Sequence, residues 1–147
     1  MTMIMTSRLE SVSAPLATEF RGENLERQRS AALKACEIAI AQAGLTEHEA
    51  DAALDFLQSG IGDREELRRQ IEALAAKYDE DYLTLIDKDD EVTRPEALRL
   101  FSKARAASAL LFALSGDSEV LHEVVYEATA SSDDPTQVVT AVREALR

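Results

Sequence analysis

The run Ala104-Arg105-Ala106-Ala107-Ser108-Ala109-Leu110-Leu111-Phe112-Ala113-Leu114 is apolar on nearly every side when wound as a helix. Such a helix is stable only when every face is covered, because each exposed face leaves hydrocarbon in water. Arg105 and Ser108 interrupt it, and it is too short to span a bilayer. The chain must therefore surround it with other elements, and its alanines let neighbours approach closely. Upstream the same helix is two-faced, with Leu98 and Phe101 against Glu96, Arg99 and Lys103. A central helix is expected over 95–114.

The rest of the chain reads as helices laid around it. From Asn24 an apolar stripe runs through Leu25, Ala32, Cys36, Ala39 and Ala43 until Gly44. Thr46 with Glu49 has the spacing of a capping box, opening a helix that carries Ala50, Ala53, Leu54 and Leu57 to Ser59-Gly60. Asp63 caps a third, longer helix whose stripe is Leu67, Ile71, Leu74, Tyr78, Tyr82 and Leu85. Thr93, Pro95 and Glu96 start the central helix, and Gly116 ends it. Val120, Leu121, Val124, Val125 and Ala128 mark a fifth helix; Val138, Val142 and Leu146, behind Pro135, mark the last. The five glycines and three prolines all fall outside these helix interiors, so punctuation and periodicity agree. The fold class expected is all-α, a single-domain bundle of five or six helices around 95–114. Residues 23–147 form the helical domain. Residues 1–22, rich in Ser and Thr with no sustained stripe, are expected to be a flexible or loosely docked tail holding one short turn near Leu16 to Phe20. The opening Met1-Thr2-Met3-Ile4 resembles the β-galactosidase leader of many cloning vectors, and no functional weight rests on it.

Composition bears on function mainly by exclusion. A formal charge of −12 repels a phosphate backbone and an anionic membrane surface, so neither nucleic acid nor membrane is an expected partner. Aromatics are 5% of residues, leaving few rings to stack on bases. The one cysteine, Cys36, sits on an apolar face and reads as a small core residue; with no internal disulfide available, a cytoplasmic setting is the simplest. No secretory signal pattern opens the sequence.

Two patterns invite a metal. Asp87, Asp89 and Glu91 alternate like the first ligands of an EF-hand loop, but Val92 stands where the turn needs glycine and Leu98 where a glutamate closes the cage. Glu119 and His122 have the Glu-x-x-His spacing of di-iron bundles, which need two such pairs; the other histidine, His48, has Leu45 at the matching position. The plainer readings are a solvated loop and surface histidines, so no metal or cofactor is expected. No phosphate loop, nucleophile elbow or paired-cysteine motif is present. What remains is the charge itself. The expected function is a small acidic, non-catalytic interaction protein, an adaptor, inhibitor or chaperone that binds a basic protein. Asp79, Glu80, Asp81, Asp87, Asp89, Asp90 and Glu91 are its candidate partner-binding residues. Self-association as a homodimer through a wide apolar face is compatible with it. The alternatives are a helical-bundle enzyme or metal protein using carboxylates with His122, and an acidic DNA mimic.

Overall fold

The computed structural model describes residues 8–88 and 90–147. Their helices are α1 (Leu9–Val12), α2 (Ala14–Gly22), α3 (Leu25–Ala43), α4 (His48–Ser59), α5 (Arg64–Ile86), α6 (Arg94–Leu114), α7 (Leu121–Ser131) and α8 (Pro135–Ala145), with a 3-10 turn at Ser118–Val120 and no strand among the described residues. The protein is an all-α bundle with one connected core. The central position is shared by two helices. α6 packs on α3, α4, α5 and α7, while α3 packs on α4, α6, α7 and α8. Both bury alanine: Ala31, Ala35 and Ala39 on α3, with Ala104, Ala106, Ala107 and Ala109 on α6, are all 0% exposed. Small side chains there leave the larger ones, Leu110, Leu114, Val124, Val125, Val138 and Val142, to fill the space between the layers. Leu111 and Phe112 are half-buried, so the inner half of α6 is covered on most of its circumference but not all of it.

Chain punctuation acts as its chemistry predicts at most ends. Asn24 accepts the Arg27 N–H (2.9 Å), Asp63 the Glu66 N–H (3.2 Å) and Asp134 the Gln137 N–H (3.4 Å). Gly44 and Gly60 take φ of 70° and 74° at the C-terminal ends of α3 and α4, where a β-carbon would be strained. Two caps differ from expectation. α4 begins one residue later than the Thr46 capping box implies, with Glu47 at the N-cap and no side-chain cap. Thr93 makes no cap for α6; its hydroxyl donates to the Asp90 carbonyl instead (3.1 Å).

The N-terminal stretch is the main correction. Residues 8–22 form two further helices rather than a loose tail, so the described residues hold eight helices where five or six were expected; residues 1–7 of that stretch lie outside the described residues. Ser13 accepts the Leu16 N–H and opens α2 with Pro15 in its first turn. Leu9 and Leu16 are 0% exposed and Phe20 3%, all within the core cluster. α1 packs on α7 and α2 on α8, and Glu19 clamps Arg143 with bonds of 2.7 and 2.9 Å.

Candidate functional site

α5 and α6 form an antiparallel hairpin whose two halves differ. Its inner half lies in the bundle. Past Asp79 on α5 and before Phe101 on α6, Ala97 is the one buried residue among those described. The outer part therefore pairs with itself, through Tyr82 against Phe101 (ring centroids 5.3 Å apart, tilted by 54°), and reaches about 12 Å beyond Asp79 at 1.5 Å per residue.

A charged network pins the hairpin where it leaves the bundle. Glu127 of α7 is 3% exposed. A carboxylate cannot be left bare there, because its lost hydration must be replaced by fixed partners. Arg105 Nη1 (3.3 Å) and Arg8 Nη2 (3.2 Å) supply them. Arg105 reaches the other way to both oxygens of Asp79 (2.9 and 3.2 Å), tying α5, α6 and α7 together. Arg8 also pairs with Glu123 and lies over the Tyr126 ring at 4.2 Å. That bond to Glu123 chiefly raises the Arg8 pKa, against the opposing effect of burial. Sequence reasoning passed over Glu127 and took Arg105 for a mere interruption. The available signal was that an arginine inside an apolar run must find an anion.

The acidic residues singled out from sequence are only partly brought together. Asp79 is committed to Arg105 and belongs to the anchor. Glu80, Asp81, Asp87, Asp90 and Glu91 are exposed on the outer hairpin and its turn; Asp89 lies outside the described residues. The turn is closed by Asp90, whose side chain accepts the Val92 N–H (2.9 Å) and whose carbonyl accepts from Thr93 (3.1 Å) and Arg94 (3.0 Å). Apolar side chains stand among these acids: Leu83 is 56% exposed, Leu98 55% and Val92 84%. Leu83 follows Asp79 by one turn and Leu98 precedes Arg105 by two, so the Asp79–Arg105 pair puts both leucines on one side of the hairpin.

The candidate metal residues stand apart. α7 starts at Leu121, which leaves Glu119 in the 3-10 turn and separates it from the helix that carries His122. The two therefore do not share one helical face as their spacing predicted. His122 Nε2 instead lies 3.3 Å from Glu123 Oε1. Asp87 and Glu91 are solvated at opposite ends of the hairpin turn. Among the described residues no three His, Cys, Asp or Glu side chains form a group able to hold a metal. Cys36 is 0% exposed, and burial pushes its thiol pKa up to about 12. No described helix is long and apolar enough to cross a membrane. No family model matches the chain, and neither the curated proteins nor the solved structures include a significant match.

Proposed function

We propose that the protein is a non-catalytic binding protein whose outer α5–α6 hairpin receives a basic, amphipathic segment of another protein. The observation that carries this is the exposure of both Leu83 and Leu98 on an outer hairpin that also bears Glu80, Asp81, Asp87, Asp90 and Glu91. A single exposed leucine is ordinary, but two leucines on one side of a hairpin, among charged residues, resemble the apolar part of an interface with its polar rim. Stability does not account for the acids at the end of α5. A helix C-terminus disfavours negative charge, and α5 carries no base in its last turn. Steering accounts for them, since rim charges accelerate encounter with an oppositely charged partner.

A synthetic helical peptide with leucine on one face and lysine on the other is the test, beside a version with glutamate replacing lysine. The lysine peptide should bind, with association slowing as salt rises. Leu83→Ser with Leu98→Ser should weaken it tenfold or more while leaving the unfolding midpoint in place. Binding that is equal for both peptides, or unchanged by the double substitution, would remove the hairpin reading.

A further inference from the structure

On the side of the bundle away from the hairpin tip, a cleft of about 530 Å³ opens between α3, the end of α4, the start of α5 and the corner joining α6 to α7. That is the volume range of small-molecule sites. Its apolar wall includes Leu33, Phe56, Leu57, Ala113 and Leu121. Its charged lining is Arg29, Arg64 and Asp117, so two positive charges against one negative give +1, in a protein of −12 overall.

The two arginines, like Arg147 at the end of the chain, also stand outside the ion pairs that most arginines here make. With 28 acidic residues for 16 basic ones, arginines here normally have a carboxylate: Arg8, Arg21, Arg27, Arg68, Arg69, Arg99, Arg105 and Arg143 are all in ion pairs. Arg29 and Arg64 form no ion pair with any described residue, and both line this cleft. Arg64 is nonetheless positioned. Its guanidinium lies over the Phe56 ring at 5.4 Å, and its Nη1 occupies the space a β-carbon on Gly116 would take. Gly116, at φ 73°, thus serves the turn and admits Arg64 at once. Asp117, the nearby acid, uses Oδ1 to accept the Glu119 N–H (2.9 Å) and cap the 3-10 turn.

We propose that this cleft binds a monoanionic amphiphile of the fatty-acid class, its carboxylate taken by Arg29 and Arg64 and its tail laid against Phe56, Leu57 and Leu33. Arginine donates in a planar fork that matches a carboxylate. A bare inorganic anion would leave the apolar wall wet, and a neutral alcohol would leave both guanidinium groups unmatched. A lining of +1 suits one negative charge better than two.

Calorimetry on the full chain with decanoate, decanol, decyl phosphate and inorganic phosphate, all below micelle formation, tests this. Decanoate should bind one to one, at least tenfold more tightly than decanol or inorganic phosphate and more tightly than decyl phosphate at a pH where the latter is a dianion. Arg29→Gln and Arg64→Gln should each weaken decanoate several-fold and leave decanol unchanged. Both arginines are exposed, so the unfolding midpoint should hold, which keeps loss of binding distinct from loss of fold. The proposal is overturned if decanol binds as well as decanoate, if either arginine substitution leaves decanoate binding intact, or if binding is not saturable at one site. Preference for decyl phosphate dianion would overturn the monoanion assignment.

Discussion

The outer α5–α6 hairpin and the N-terminal pair α1–α2 make opposite use of their apolar residues. The hairpin has the longest stripe in the chain, yet its last members, Tyr82 and Leu85, are half-buried and Leu83 beside them is mostly exposed. Residues 9–22 show no sustained stripe, yet Leu9, Leu16 and Phe20 are among the most deeply buried side chains. Periodicity reports whether a segment can form a helix with an apolar face. Burial depends on whether another element arrives to cover that face. For α1 and α2 the covering elements are α7 and α8, more than a hundred residues away in sequence; for the hairpin tip, none of the described elements arrives. An exposed stripe on a well-formed helix is therefore where a partner is to be sought.

The contrast is sharpest within α6 itself. Leu110→Ala, at a site 0% exposed, should destabilise the protein by about 2–5 kcal/mol in urea unfolding. Leu98→Ala, more than half the helix away and 55% exposed, should stay within about 0.5 kcal/mol. Amide exchange should follow the same division, slow over 104–114 and fast over 94–99. Equal effects at the two leucines would show that the hairpin tip is covered after all. The next effect in size is at the opposite region. Leu9→Ala should cost about 2–3 kcal/mol, toward the lower end for a buried leucine because a terminal helix can relax around the gap. A negligible loss would return residues 8–22 to the loose tail that the sequence alone suggested.

That error has a physical source. The six helices from 24 onward were legible because capping residues, glycines and stripes coincided, and Asn24, Asp63, Gly44 and Gly60 act as those signals require. α1 is four residues long and α2 nine, too short for a 3.6-residue period to declare itself, so their helicity depends on tertiary cover rather than on local pattern. Thr46 and Thr93 show the converse: a correct capping spacing need not produce a cap, the N-cap of α4 falling one residue past Thr46 and the Thr93 hydroxyl turning to the Asp90 carbonyl. The acids of the hairpin were legible as a cluster, but not the division of labour within it, because Arg105 reaches Asp79 across 26 residues and Glu127 across 22. The Arg29–Arg64 cleft left no linear trace at all, its lining being drawn from α3, α4, α5 and the corner after α6.

The anchor between bundle and hairpin gives the third expected effect. Glu127→Gln keeps shape and removes charge, leaving Arg105 and Arg8 with weakened partners, at about 1.5–3 kcal/mol for the loss of charged hydrogen bonds. Thermal unfolding would measure that cost. Exchange at Tyr82 to Ile86 should also quicken, because Arg105 holds α5 and α7 together through this carboxylate. An unaltered hairpin with a destabilised bundle would show that Glu127 serves the core alone.

The smallest effect belongs to the N-terminal side, at Glu19 and Arg143. The Arg143 hydrogen bonds draw the Glu19 pKa below the ordinary carboxylate value, and the reciprocal interaction raises that of Arg143. A carboxyl group with a folded pKa below its unfolded one binds protons more weakly in the native state. It therefore contributes stability above the unfolded value, and that contribution is lost as the pH falls through the folded one. The pair is only half-buried and is screened by salt, so its contribution is slight despite its two-bond geometry. Glu19→Gln should accordingly lower the melting temperature a little at neutral pH and low salt. The difference from wild type should vanish in acid, where wild-type Glu19 is itself protonated. It should also shrink in concentrated salt. A difference that persisted in acid would mean that Glu19 holds α2 against α8 by packing of its methylene groups, and the ion pair would then be incidental to the docking of the N-terminal helices.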